Sequence, residues 1–596
     1  MPWISDDSER AINPYNFVTM ADNAERAAPV KGPLTGKISC RLITKTPLAI
    51  PDTEKMSLEW TNDSSRDKRK KEHKKYPFFS AGGKETIVVN GKEVIIDGKK
   101  IIPGSELRGM IRSAFEAVTS SCMSIINSNT LSARHPTPRN PGLIRWNTSD
   151  EKWELYNAVR QNNSNNGAVK HNWYCINGIT RGSEQCRRRR CSNRQRRRCS
   201  GQERYYQREG NALLFSDLDK AVEQFNSDEG IMAIYQKNDE DKYKRVAYSI
   251  GQDGEWYVVF YEQVGDGTIY LSPAQVSRSV FHKKLEDLVG DLKPCGSKSL
   301  TNKGFCPACR LFGMISKNCS IGGSVRFGDA KLIALEKDSF HYAVLKELAE
   351  PKPSSVEFYT QMPGEDALFW NYDYKVTDYI SNTEPVRSVC DVKLNGRKFY
   401  LHHKTPAYRT SEKTKRNSTM ELVSEGSEFE FDIWFEQIDE DQLNELLWIL
   451  TFGENDVLGG KWHKIGHGKP LGLGSIKIVV DSVKTRAVDV SDELIVSYEE
   501  SLFAFPKDNP FLGQGYADLE RIAETRFENV SYPLGDGGGA GSNRYASHQW
   551  FIGNRMFESR NGVRPNGMKP VISKTLPLIR DKSETSELYL SKYVRT

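Results

Sequence analysis

The sequence predicts an α+β protein built on a split β-α-β, ferredoxin-like unit that carries a large insertion and a C-terminal extension. Regular pieces follow one another as strand, helix, strand, strand, helix, strand. Residues 121–290 interrupt that order with a stretch of different character, and regular patterning resumes beyond it. A length of 596 residues suits several domains, and 25 Tyr, 25 Phe and 11 Trp supply enough core material to exclude disorder throughout.

The first strand is read from the alternation of Ile38, Cys40 and Leu42 with Ser39, Arg41 and Ile43, and Thr46-Pro47 ends it. Over Glu85–Ile102 the Asn90-Gly91 and Asp97-Gly98 pairs, set among β-branched residues, signal tight hairpin turns. Pro103-Gly104-Ser105 opens a helix with Ser105 as N-cap. Leu107, Met110, Ile111, Ala114, Phe115 and Val118 form its core stripe, and Arg108 and Arg112 fall on the opposite face. After the insertion, Gly323–Leu332 reads as a strand. Phe429, Phe431, Ile433 and Phe435 alternate with polar neighbours in another, and Asp439 with Gln442 forms a capping box for the second helix. A final strand contains Ile476, Ile478 and Val480, and Ala517–Glu528 has a helical pattern. The organisation expected is an arm (1–35), a first core part (36–120), the insertion (121–290), a second core part (291–485) and the extension (486–596).

No run approaches ~18 consecutive apolar residues, which excludes a membrane span. The N-terminus has no basic region followed by an apolar one, so a cytoplasmic location is expected. Net charge is only +6 on a chain with 27% charged residues, but it is unevenly spread. The run Arg66–Lys75 reads RDKRKKEHKK, and Arg181–Arg208 carries eleven arginines against two glutamates, with Trp173, Tyr205 and Tyr206 nearby for stacking. Such clusters attract phosphate backbones; Arg66–Lys75 could equally be a solvated loop, whereas the nearby aromatics favour nucleic-acid contact for Arg181–Arg208.

Eleven cysteines in a chain with no export signal point to metal ligands before disulfides. Cys306-Pro307-Ala308-Cys309 is a C-x2-C knuckle that gives two thiolates a common focus. Tetrahedral zinc needs two more ligands; Cys295 is the expected third and His282 the expected fourth, with Cys319 as its rival. Three thiolates and an imidazole leave no open position, so the zinc would be structural. A second set, Cys175, Cys186, Cys191 and Cys199, lies in the arginine tract at spacings that fit no standard knuckle and leave zinc and free thiols equally open.

Between the second helix and the last strand lies Gly466-His467-Gly468-Lys469-Pro470-Leu471-Gly472-Leu473-Gly474. Its glycines allow backbone N–H groups to approach a phosphate, and Lys469 adds a charge; it is no P-loop, because Pro470 follows the lysine. A turn without a ligand is the alternative.

Three motifs in this order (Pro103-Gly104-Ser105-Glu106-Leu107-Arg108-Gly109, Cys306-Pro307-Ala308-Cys309-Arg310-Leu311-Phe312-Gly313 and the glycine loop) resemble the repeat-associated RNA-binding (RAMP) superfamily, which builds the backbone of type III CRISPR effector complexes. Pro14-Tyr15-Asn16-Phe17 and Gly396-Arg397-Lys398-Phe399-Tyr400-Leu401-His402-His403 look like a longer branch whose backbone domain carries an insertion. The likeness spans roughly residues 10–485. It implies an RNA-recognition-like core that holds guide CRISPR RNA by its phosphates, a target RNA paired to that guide, and neighbouring effector subunits, namely a large subunit and other backbone proteins. By that resemblance Gly104, Ser105, Arg108, Arg112, His467, Lys469 and Gly472 would contact the guide, and the Glu85–Ile102 hairpin would be a thumb. Specificity would come from base pairing.

Many relatives cleave the target with an acidic residue in the loop after the first strand. Asp52 is the matching position here, with Glu54 as fallback, and either carboxylate could orient the attacking ribose hydroxyl or hold Mg or Mn. That loop departs from the glycine-containing family version, so Asp52 could equally be a capping residue. Two other functions fit the residues: a standalone endoribonuclease using His463 and His467 or His402-His403 to process precursor guide RNA, and a zinc-stabilised RNA-binding protein without catalysis.

Overall fold

The computed structural model describes residues 3–595 apart from 62–70, 90–91, 127–130, 135–138, 162–166, 172–203, 216, 228–248, 265–266, 276–277, 301, 336–339, 349–354, 382–383, 488–512, 514, 537–546 and 555–572. Cys175, Cys186, Cys191, Cys199 and Trp173, most of the Arg66–Lys75 run and the Asn90-Gly91 turn lie outside the described residues.

The centre of the fold is a mixed α+β, sheet-rich layer. Strand Leu34–Thr44 lies between Ser475–Ala487 and Glu428–Ile438, antiparallel to both, and Val325–Phe327 and Ala330–Leu335 pair antiparallel with the far side of Glu428–Ile438. Period-2 patterning decides which face is buried. Phe429, Phe431, Ile433 and Phe435 point inward, where Ile38, Leu42, Ile476 and Ile478 join them. The outer face is polar and fixes register by charge: Lys37 pairs with Asp432 at 3.1 Å, and Arg41 reaches Asp481 at 2.9 Å.

Two helices, Gly104–Val118 and Glu440–Thr451, cover the inner face. Leu107, Ile111 and Phe115 of the first join Leu443, Leu446 and Leu450 of the second in one core. Asp439 and Gln442 form the expected capping box, with Gln442 N–H donating to the Asp439 carboxylate at 2.8 Å and Asp439 N–H to the Gln442 amide oxygen at 3.1 Å. The first helix departs from expectation. Pro103, not Ser105, is its N-cap, and the Gly104 N–H donates instead to Asp329 at 2.8 Å. A Cβ on Gly104 would stand 2.2 Å from the Phe327 carbonyl oxygen, so only glycine lets the helix start against that strand.

Strands Ser80–Val89 and Lys92–Ile102 form a hairpin on the sheet edge at Ala330–Leu335. Asp97-Gly98, expected as a turn, sits inside the second strand, where Gly98 takes φ +77° opposite a register shift between Ala81 and Lys84. A bulge explains the Asp-Gly pair as well as a turn does.

The stretch after the first helix holds its own sheet, ordered Val169–Lys170, Tyr205–Leu213, Lys152–Gln161, Asn140–Asn147, Tyr257–Gln263 and Ile269–Ser272. Helix Leu218–Asn226 closes one face with Leu218, Val222 and Phe225 on Ile144 and Leu155. The chain ends meet: Trp3–Ile12 pairs with Tyr589–Arg595, and helix Tyr516–Glu524 packs on Gly104–Val118. No described helix is long and apolar enough to cross a membrane. Removing the cap by Asp439→Ala should weaken the first turn of its helix by about 1 kcal/mol. Hydrogen exchange of the Gln442 and Leu443 amides would read this as about a fivefold acceleration, with amides of Leu34–Thr44 unchanged.

Candidate nucleic-acid interface and metal centre

Ser105, Gly109 and Ser113, spaced four apart on the first helix, form one wall of a cavity of about 520 Å³. Lys469 and the Trp462–Ile465 segment, Lys398 and Tyr400, and Leu519 with Ile522 form the others. The glycine loop delivers Lys469. A short 3-10 turn, Lys469–Leu471, is bounded by Gly468 and Gly472, both left-handed; at Gly472 (φ +92°) a Cβ would stand 2.9 Å from the His403 ring. His467 N–H donates to Ala49 at 2.9 Å, tying the loop to the segment after the first strand.

The electrostatics of this cavity are one-sided. Burial pushes the Lys464 ammonium down to about 7, and Lys469 and Arg526 add repulsion. Burial likewise lowers Lys398 to about 8, lowers Lys469, whose one carboxylate neighbour is Glu106, and brings Arg526 to about 10. Lys464 donates to Ser475 Oγ at 3.1 Å, and Lys398 lies 3.9 Å from the centre of the Tyr15 ring. Basic groups held out of water with so little opposing charge make this cavity suited to an anion.

Arg108 and Arg112, expected to be free for phosphates, turn the other way. The Arg108 guanidinium donates to the Phe312 carbonyl; Arg112 donates to Gly313 O at 2.7 Å and pairs with Glu116 at 2.8 Å. Both therefore bind the helix to the knuckle rather than lining the cavity. Lys464 and Lys398 were missed as site residues, although one lies in the GKWHKIGHGK run and the other in GRKFYLHH.

The knuckle itself is complete. Cys122, Cys295, Cys306 and Cys309 are buried, and their Sγ atoms all lie within 4.8 Å of one another. Cys122 stands 3.5 Å from Cys306 and 3.6 Å from Cys309. Four thiolates at about 2.3 Å from one ion would be roughly 3.8 Å apart, so the cluster could hold a metal. Hydrogen bonding within the cluster draws the Cys306 thiol down and holds Cys295 at about 7, while it raises Cys122 and Cys309. The fourth sulfur is Cys122, not His282 or Cys319. The His282 ring lies tilted against Tyr270 at 4.6 Å and the His282 backbone N–H donates to Asp373; the Cys319 thiol meets the Cys295 carbonyl at 3.9 Å. Cys122 follows the first helix directly, far from the knuckle in sequence, and no spacing rule reaches it.

Asp52 is buried, and its carboxylate caps its own turn. One oxygen accepts from Glu54 and Lys55 N–H at 3.2 and 3.3 Å, and the other pairs with Lys55 Nζ at 3.1 Å. Glu54 is exposed. The histidines are structural as well. His463 Nε2–H donates to Ile449 O at 2.9 Å and the ring stacks on Phe452 at 4.2 Å, while burial lowers His463 to about 4 and His403 to about 3. Burial also holds His402 well below its usual value and lowers His467. Imidazoles with such low pKa values are neutral near pH 7 and poor proton donors there.

The family model of the RAMP superfamily matches residues 41–189 and 270–477, more than half of the chain. The chain belongs to the RAMP superfamily. Both matched blocks contain parts of the site: Ser105, Arg108, Arg112 and Cys122 in the first, Cys295, Cys306, Cys309, Lys464 and Lys469 in the second. None of the curated proteins matches it. Solved structures to which this RAMP chain is similar include a chain of a type IV-B CRISPR complex, at 9% identity over 77% of this chain and 94% of the other with TM-score 0.21. Csc2 of Thermofilum pendens is similar at 8% identity over 83% of this chain and 73% of the other, again with TM-score 0.21.

His463 sets a pH window. Its folded pKa lies below the unfolded value of about 6.5, so the unfolded chain binds more protons as pH falls. Its contribution to stability is whole above pH ~6.5 and diminishes towards pH 4, by roughly 2 kcal/mol at pH 5. Denaturant midpoints at pH 7 and 5 should show that loss together with those of His402, His403 and His467, and His463→Gln should make the dependence shallower by its own share.

Proposed function

We propose that this RAMP protein is a guide-RNA-binding backbone subunit of a type III CRISPR effector, working in the cytoplasm with guide CRISPR RNA, complementary target RNA, a large subunit and other backbone subunits. The observation that carries the reading is the cavity at which the first helix meets the glycine loop, with Lys398, Lys464 and Lys469 desolvated around it. In this reading the strand order of the central sheet is a ferredoxin-like core, the guide's sugar-phosphate chain passes Ser105 and Lys469, and the hairpin Ser80–Ile102 is the thumb. Backbone contact of this kind leaves the bases free to pair with the target. The four thiols hold structural zinc. Target cleavage is no part of the proposal, because the Asp52 carboxylate is already paired and capped.

Lys464→Gln/Lys469→Gln should weaken binding of guide RNA to the full chain about tenfold or more. It should also lower the slope of log affinity against log salt by about 1.4, as expected for two phosphate contacts to a single strand. Unchanged affinity and slope, measured by fluorescence anisotropy, would overturn the reading.

Metal analysis of purified protein should give one zinc tightly held at the knuckle. Cys122→Ser should release it and lower the melting temperature, whereas His282→Asn should retain it. Retention by the Cys122 variant would return the fourth position to another residue.

A further inference from the structure

Helix Leu218–Asn226 covers one face of the sheet of residues 140–272, and the other holds a second buried cluster of Leu143, Ala158, Tyr206, Val258 and Phe260 with Trp256 packed at its margin. On that second face, Arg145 of Asn140–Asn147, Tyr156 of Lys152–Gln161 and Arg208 of Tyr205–Leu213 stand beside Trp256, which precedes Tyr257–Gln263. The groups interleave. The Arg145 guanidinium lies 4.6 Å from the Trp256 ring centre; Arg208 lies 4.9 Å from Tyr156 and 5.8 Å from Trp256. The Tyr156 and Trp256 rings meet edge-on at 5.5 Å. Arg145 is anchored by Glu154 at 3.0 Å. Arg208 is exposed and makes no ion pair among the described residues; Arg160, two positions beyond its partner Ala158 on the same strand, is exposed on this face too.

We propose that this face of the insertion is a second RNA surface: unpaired bases of a single-stranded RNA stack on Tyr156, Trp256 and the two guanidinium planes, and Arg208 and Arg160 take its phosphates. Planar cations alternating with rings suit bases rather than aliphatic or acidic side chains, because every base has a π-face and its chain carries the opposite charge. A duplex keeps its bases stacked on each other and offers none to the platform. Charge supports the choice independently: in sequence, the stretch 172–203 between Val169–Lys170 and Tyr205–Leu213 carries nine arginines against two glutamates.

The surface is separate from the lysine cavity, so its test runs in two backgrounds. In the full chain carrying Lys464→Gln/Lys469→Gln, an unstructured single-stranded RNA should still bind. Adding Arg208→Gln and Trp256→Leu should reduce that affinity about tenfold or more. A duplex of the same length should bind more weakly and be indifferent to the added changes. Ultraviolet cross-linking of the RNA to unaltered protein should mark peptides containing Tyr156 or Trp256, and this arm decides if the Trp256 variant fails to fold. Equal affinity with and without the added changes, equal preference for duplex, or cross-links confined to other peptides would overturn the proposal. Loss of all single-strand binding through the lysine changes alone would likewise overturn it, whereas unchanged binding by the lysine variant with loss on the added changes would support it and count against the guide site only.

Discussion

The position of one helix governs the rest of the molecule, and it is fixed at both ends by groups distant in sequence. At its start, Gly104 is pressed against the Phe327 carbonyl and hydrogen-bonded to Asp329; just past its end, Cys122 enters the cluster with Cys295, Cys306 and Cys309. Between them Arg112 and Arg397 share Glu116, and Arg397 also donates to the Ser121 carbonyl. A buried carboxylate held by two guanidiniums is strongly destabilised when one partner is removed, so this network tolerates little rotation of the helix. That fixed rotation turns Ser105, Gly109 and Ser113 towards the lysines and Arg108 towards the knuckle.

The cysteine cluster therefore acts on the RNA cavity from a distance. A metal there would join the end of the first helix to the knuckle helix Pro307–Phe312, two pieces separated in sequence by the whole insertion. An insertion of that size raises the entropy of closing the chain, and a cross-link spanning it offsets much of that cost. The stretch between the two pieces can thus carry its own sheet without loosening the core on either side of it.

How legible each part was in the sequence follows from the range of the interaction involved. Local signals were sound where local physics decides: the Asp439–Gln442 box, the alternation over Phe429–Phe435 and the stripe from Leu107 to Val118 all read correctly. They failed where tertiary partners compete for the same group. Ser105 has the chemistry of a cap, but Asp329 reaches the helix end first; Arg108 and Arg112 look solvent-facing on a helical wheel, yet carbonyls at Phe312 and Gly313 take their donors. Cys122 and Lys464 had no visible role because each is completed only by segments brought together in the fold.

The same logic explains a feature that is costly to the isolated chain. Lys398, Lys464 and Lys469 give up hydration around a cavity lined by the carboxylate of Glu106, and folding bears that desolvation whether or not a ligand is present. Solvent-exposed lysines would fold more readily but would pay the desolvation when the phosphate arrives. Placing the cost in folding leaves the cations preorganised, so a polyanion meets charges already stripped of water and gains the full interaction. By linkage an anion bound there stabilises the fold by an amount that grows with the logarithm of its concentration over its Kd. A RAMP protein built this way is weakest with the cavity empty and strongest with an anion seated in it.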